Sequence, residues 1–410
     1  MVYAPSALLD RWIGLPAAVT VWLVIVAGVS IALSWPDVPT RVRPAIIGLL
    51  AMFIAFAWPS GFAQREQFAM LFVYPYVVPG DRRGWRAITI GLMAGIGFSI
   101  KPHFLLAWIL IDSSRRPLRT EQLALFAAGA IYALSMLTLF RSFTFELLHE
   151  TLVSYSAFNR SNVAILAFWP SSFSIAALLL ALWKRELIAK AFAVAACGFA
   201  LAAILQMKFY AYQLIPAWGF ATLALSSLVQ HQERKIRICA IGLLLISALL
   251  QMRHSLSWFN ESAARSVQIH RILEKIDGAR TFSVFGVHPY PAFPTAIYAQ
   301  QKMRVSFVGI ASSQWFLPAA AMGKGNSALL ARQQALRELR SKPDIILVDT
   351  DWQRHTNISR SFDGLKFLQS DSLFRHEWSQ YDRVGSVGDF LLFKRRSPSR
   401  ERSPSTGPAF

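Results

Sequence analysis

Three stretches of the chain set charged or hydrogen-bonding side chains inside apolar surroundings. They are Gln64, Arg65 and Glu66 in FAQREQF, Lys101 and His103 in SIKPHFLL, and Lys208, Tyr210 and Tyr212 in QMKFYAYQ. A charge at the centre of a membrane helix costs about 2.5–3.5 kcal/mol on insertion scales, so residues of this kind mark either function or a helix end. Cations with aromatic neighbours at a membrane boundary suit an anionic lipid head group: the cations balance phosphate charge while apolar surface holds the tail. A carboxylate beside them, Glu66 or Glu150, has the chemistry of a general base toward an acceptor hydroxyl, with a pKa sensitive to the nearby cations. The plain alternative for each residue is snorkelling, since Lys and Arg at helix ends reach the interface routinely and Tyr belts it. Three basic motifs that meet on one face, against the charge bias of the loops, favour a site.

Other chemistries find little support. No glycine-rich phosphate loop, HExxH or nucleophile elbow occurs, and the eight histidines form no pair at metal-ligand spacing on a helix, so no metal ligand is assigned and a divalent cation lacks support. Both cysteines, Cys197 and Cys239, fall in apolar segments, which excludes a disulfide framework. The net charge of +19 invites a nucleic-acid reading, but most basic residues lie in short loops between apolar runs rather than in one patch, and nucleic acid is not expected as a partner. Asn159, Asn260 and Asn357 head N-glycosylation patterns that arise often by chance. Asp349 and Asp351, in VDTDW, stand at a strand end where carboxylates either bind ligands or cap the loop.

The elements that must position the three motifs are membrane spans. Of the 410 residues 54% are hydrophobic and only 16% charged, and the mean hydropathy is +0.39; this is too apolar for an ordinary soluble protein. Apolar runs at 15–34, 44–58, 67–79, 87–100, 104–112, 120–140, 163–183, 191–205, 209–228 and 238–252 predict about ten segments over residues 1–252. Four have the roughly 20 residues that cross a 30 Å core. The shorter ones are tolerated only where protein or a water-filled cavity surrounds them. Alternate loops carry unequal charge. One side collects fourteen Lys and Arg, among them Arg82, Arg86 and Arg119, and the other six: Arg11, Arg65, Lys101, Arg141, Arg160 and Lys208. The positive-inside rule then puts all three motifs, the N-terminus and the C-terminal domain on the outer face. An outer N-terminus without a signal peptide leads us to expect an upstream span. After Met252 the pattern changes to helices at 261–276 and 329–340 and strand-like runs at 281–285, 304–308, 344–349 and 390–394. These predict a soluble α/β domain over 253–394, followed by a disordered basic tail, 395–410.

FAQREQFAMLFVYPYV, GIGFSIKPHFLLAWIL and QMKFYAYQLIPAW resemble motifs of bacterial multispanning GT-C glycosyltransferase-like proteins, related to the protein mannosyltransferase and aminoarabinose transferase superfamily. HPYPAFPTAIYAQQKMRVSFVGIASSQWFLP looks like that group's segment after the last span, so the likeness covers about residues 1–320. The fold it implies is a polytopic α-helical membrane protein, GT-C-like, with a C-terminal soluble α/β domain. The activity it implies is sugar transfer from a polyprenyl-phosphate donor to an envelope glycan, lipid or protein acceptor outside the cytoplasm. The resemblance places the catalytic carboxylate in a first outer loop, and this chain begins with VYAPSALLDRWIGLP, which resembles the stretch just after that loop. A start codon set too late, a fragment, or substitution by Asp10 or Glu66 would each account for this, and the first is the favoured expectation. Two other classes stay open: a transporter or flippase of lipid-linked sugars, and a non-catalytic membrane scaffold.

Overall fold

A computed structural model of the chain describes residues 5, 15–44, 46–47, 64–113, 119–159, 168–184, 186–208, 210–287, 292–308, 313–353, 358–359 and 361–396. Asp10, most of the apolar run 44–58 and nearly all of the tail lie outside the described residues. The α-helices are α1 (Leu15–Ser34), α2 (Arg65–Val77), α3 (Gly84–Ser99), α4 (Phe104–Asp112), α5 (Thr120–Thr138), α6 (Leu148–Tyr155), α7 (Trp169–Lys184), α8 (Leu187–Leu205), α9 (Ile215–Val229), α10 (Arg234–Ile276), α11 (Ala292–Met303), α12 (Ser313–Ala321), α13 (Ser327–Arg340), α14 (Gly364–Gln369) and α15 (Ser372–Trp378). The strands are β1 (Thr281–Phe285), β2 (Ser306–Phe307), β3 (Ile345–Asp349), β4 (Tyr381–Val387) and β5 (Phe390–Arg395). The chain divides into two compact units, Met1–Arg141 with Arg160–Asn260, and Ser142–Asn159 with Glu261–Phe410.

The first unit is a helical bundle. Among the described residues five segments are long and apolar enough to cross a membrane: Ala17–Asp37, Thr120–Thr138, Leu187–Leu205, Ala211–Val229 and Arg234–Ile276. Of the helices too short to cross alone, α2 is enclosed, whereas α3, α4 and α7 expose apolar side chains such as Ile96, Ile109 and Leu179. Every residue of α2 from Glu66 to Val77 is buried, Pro75 included, and α9 is buried from Ile215 to Leu228. Small residues let the backbones close up. Gly91 and Gly95 share a face of α3 that meets Ala124 and Ala128 of α5, and a Cβ on Gly95 would come within 2.6 Å of the Ala128 Cβ. A Cβ on Gly198 of α8 would stand 2.7 Å from the Ala107 Cα of α4. Between these contacts runs a series of rings, Tyr74 to Phe192 (5.9 Å), Phe192 to Phe220 (6.2 Å), Phe220 to Phe199 (5.7 Å) and Phe199 to Phe104 (5.0 Å), at the separations aromatic pairs prefer.

The second unit holds a five-stranded mixed sheet in the order β2-β1-β3-β5-β4. β1 pairs in parallel with β2 and β3, and β5 is antiparallel to β3 and β4. β3 is an unbroken apolar run, IILVD, because both its faces are covered. Ile346 and Val348 pack with Ala335, Leu339 and Trp378 on one side, and Ile345 and Leu347 with Ile272 and Ile276 on the other. Gly388 provides the positive φ (55°) of the tight β4–β5 turn.

Three features depart from the sequence reading. The run 238–252 and the helix 261–276 are one continuous helix of 43 residues, α10, and the boundary placed at Met252 falls inside it. The segment between contains neither Pro nor Gly, so nothing in it breaks the i to i−4 ladder. The segment Ser142–Asn159 groups with the α/β unit although it lies in sequence between apolar helices. β4 is also a strand the hydropathy pattern does not announce, because five consecutive residues of this edge strand, Asp382 to Ser386, are exposed.

Candidate functional site

Three of the bundle's chain turns come together at one end. α2 begins there, with Gln64 at its N-cap, Arg65 exposed and the Glu66 side chain fully buried. α3 ends at Ser99 and the turn to α4 carries Lys101, whose Nζ forms a close ion pair with Glu66 Oε1 and donates to Gln206 Oε1 at 3.2 Å. Gln206 caps the C-terminus of α8, where Met207 takes a left-handed φ of 53°, and Lys208, one residue further on, is buried. A left-handed residue ends a helix sharply. Here it allows the chain to resume as a short turn, Ala211–Leu214, that leads into α9. Tyr212 in that turn lies under the Lys101 ammonium, with Nζ 5.7 Å from its ring centre, and stacks on Tyr210 at 5.5 Å with the rings 7° from parallel.

The structure therefore brings Glu66, Lys101, Tyr210 and Tyr212 into one cluster. Gln64 is half-buried, Arg65 and His103 are exposed, with His103 at the N-cap of α4, and Asp10 lies outside the described residues. The sequence reading missed two glutamines. Gln206 is the hydrogen-bond partner of Lys101, and Gln213, in the Tyr212 turn, is buried with neither its amide nitrogen nor its oxygen hydrogen-bonded among the described residues. Both lie within or beside QMKFYAYQ, where an amide inside an apolar helix end was the available signal. Glu150, the other carboxylate considered as a base, belongs to the second unit, where its Oε1 accepts from Asn326 Nδ2 at 3.1 Å and its Oε2 from Asn326 N–H at 3.3 Å.

Electrostatically the cluster is a buried ion pair, in which Lys101 opposes the Glu66 carboxylate; Arg65 stands next to Glu66 in the chain, and Lys208 is buried two residues beyond Gln206. Neither Glu66 oxygen accepts a hydrogen bond of regular geometry among the described residues, so Lys101 supplies what balances its charge. Taking away either member of a buried ion pair leaves the other charge uncompensated.

At the opposite end of α2 a second ionic network joins the other helix termini. Arg82 Nε donates to Asp37 Oδ2 at 2.6 Å, Arg86 also pairs closely with Asp37, and Arg82 and Arg119 each approach Glu121 Oε1 at 3.7 Å. The Asp112 carboxylate accepts from Tyr76 Oη at 2.7 Å, Trp108 Nε1 at 2.6 Å and Gln122 Nε2 at 3.2 Å. Three arginines meet three carboxylates, so this network is neutral and ties α1 to α5 together rather than offering charge to a ligand.

A cavity of about 350 Å³ opens between α9 and α10, lined by Trp218, Thr222, Val229, Ile241, Leu244 and their neighbours. Its walls are almost wholly apolar, and none of its lining residues belongs to the polar cluster. Among the described residues no group of three or more His, Cys, Asp and Glu is placed to hold a metal ion. Asp349 Oδ1 accepts the Asp351 N–H at 2.9 Å, which is the loop-capping arrangement. No protein-family model, curated protein or solved structure matches the chain.

Proposed function

We propose that the protein is a multispanning membrane glycosyltransferase of GT-C type that moves a sugar from a polyprenyl-phosphate donor to a cell-envelope acceptor. In this reading it lies in the bacterial inner membrane, and the transfer and the α/β domain are on the periplasmic side. The observation that carries the reading is the Glu66–Lys101 pair, sealed at one end of a bundle of apolar helices, with a stacked tyrosine platform beneath the ammonium.

In this mechanism Arg65, Lys101 and Lys208 balance the donor phosphate, and Tyr210 and Tyr212 with His103 and Gln64 border the sugar. The cavity along α9 and α10 offers apolar walls suited to hydrocarbon. Binding of the phosphate draws Lys101 toward it and frees the Glu66 carboxylate, which takes the proton from an acceptor hydroxyl. The acceptor oxygen bonds to the anomeric carbon, the bond from that carbon to the phosphate oxygen breaks, and the lipid phosphate leaves with its electron pair. Asp10 is the alternative base. The chemistry assigned to these residues draws on no cofactor.

The test is transfer of radiolabelled sugar from polyprenyl-phosphate donors to membrane acceptors in proteoliposomes, comparing the chain with Glu66→Gln, Lys101→Ala and Arg65→Gln. Arg65 is exposed, so its variant separates loss of binding from loss of folding. Transfer that falls at least tenfold in Glu66→Gln and shows a raised donor requirement in Arg65→Gln supports the reading. Absence of transfer across a broad donor panel, accompanied by donor movement between leaflets, would replace it with a flippase.

A further inference from the structure

The segment from Ser142 to Asn159 has one side fixed by contacts and one side exposed. The first is fixed to the α/β unit. Glu150 receives two hydrogen bonds from Asn326 just ahead of α13, Ser154 Oγ lies 3.0 Å from Ser327 Oγ, Lys324 Nζ donates to Ser156 Oγ at 2.9 Å, and Ala157 and Phe158 pack with Ala319. The other is exposed and mixed, with Glu146 and His149 beside large apolar side chains. Phe143, Phe145, Leu147 and Leu152 are exposed, Phe145 to 66% and Leu152 to 60%. Phe143–Leu147 is a π-helical turn, and such turns recur at functional sites more than their rarity suggests.

The occupant of the exposed face is set by connectivity. α5 ends at Thr138, only three residues before Ser142, and carries Ile131, Leu134 and Leu137 exposed along its length. Three intervening residues place Ser142 no more than about 15 Å from Thr138 by Cα spacing, so an α5 that ends at a bilayer surface delivers Phe143 and Phe145 to the same surface. Aromatic and aliphatic side chains at that depth gain by entering the boundary between head groups and acyl chains.

We propose that residues 142–152 form a lipid-interface seat, with Phe143, Phe145, Leu147 and Leu152 set into the head-group boundary of the bilayer while the opposite face, through Glu150, Ser154 and Ser156, holds the α/β domain. This rests on the membrane reading above but not on the glycosyltransferase chemistry. The seat anchors the domain to the membrane at a point separate from the link through α10.

The full chain with Cys197 and Cys239 replaced by serine is reconstituted in nanodiscs, and single cysteines at Phe145→Cys, Leu134→Cys and Lys366→Cys carry an environment-sensitive fluorophore. Quenching is compared for lipids spin-labelled near the head group and near the chain end. The expected result is a probe at 145 quenched at least threefold more by the head-group label than by the chain-end label, a larger share of chain-end quenching at 134, which lies about 6 Å deeper, and little quenching at the exposed Lys366 position. Quenching at 134 without quenching at 145 overturns the seat and leaves the membrane reading standing; quenching at neither overturns both. A 145 probe that is shielded from both lipids and cross-links to a second copy would make the face an interface between protomers and would also overturn the proposal.

Discussion

Glu66 and Lys101 lie 35 positions apart in the sequence, yet neither is tolerable in its place without the other. Removing one partner of a buried pair costs about 3–5 kcal/mol because the remaining charge loses its balance, whereas replacing both by apolar groups of similar volume is close to neutral. Lys101→Met alone is therefore expected to lower the thermal midpoint in detergent sharply, and the Glu66→Leu/Lys101→Met double variant to recover most of it while staying inactive in transfer. A double variant as unstable as the single one would show that the pair is not what Lys101 contributes. In the α/β unit, Tyr381 donates to the Pro343 carbonyl at 2.9 Å, and burial pushes its phenol up to about 12. The folded value lies above the unfolded one of about 10, so the contribution of the protonated phenol is complete below pH 10 and is lost as pH rises through about 12. Tyr381→Phe should cost about 1 kcal/mol near neutrality, and chemical-denaturation curves of variant and parent should converge at the alkaline end. The charged residues of the cluster were legible because charge in an apolar run is conspicuous. Gln206 and Gln213 were not, because an amide carries no formal charge and its role depends on what it faces.

At the scale of the element, the α3–α5 contact sets a sharper contrast than hydropathy does. Gly95 faces Ala128 with no room for a methyl group, while Gly129 on α5 has nothing within 4 Å of the place a Cβ would occupy. Gly95→Ala is expected to destabilise the bundle by about 1–3 kcal/mol through overpacking, and Gly129→Ala to stabilise it by up to about 1 kcal/mol through helix propensity. Unfolding of both variants in mixed detergent micelles measures this, and equal effects would mean that the two helices are not packed as described. Sequence alone could not rank these glycines, since both stand four residues from another small residue. Apolar runs gave the ends of α4, α5 and α8 within a few residues, because charge and proline punctuate them. α10 ran past its expected end for the opposite reason: polarity rises after Met252 without any residue that breaks a helix. β4 escaped notice because an edge strand exposed along its middle has no alternation to read.

For the whole molecule, a mostly helical chain with a small C-terminal sheet was legible from the change of pattern near residue 252, and the run IILVD announced a doubly covered strand. Long-range membership was not foreseeable. Ser142–Asn159 reads from its neighbours as a loop between apolar helices, and only the partners of Glu150, Ser154 and Ser156, more than 160 residues away in sequence, assign it to the α/β unit.

The two ionic networks flank α2, which is 13 residues long and so about 20 Å from end to end. A bilayer core measures about 30 Å. For the protein seated in a membrane as proposed, the two networks stand about 10 Å closer together than the two surfaces of the hydrocarbon core, so at least one of them lies inside the layer across which a resting voltage falls. If that network is the Glu66–Lys101 pair, the membrane potential bears directly on how readily the proposed anionic donor enters and leaves.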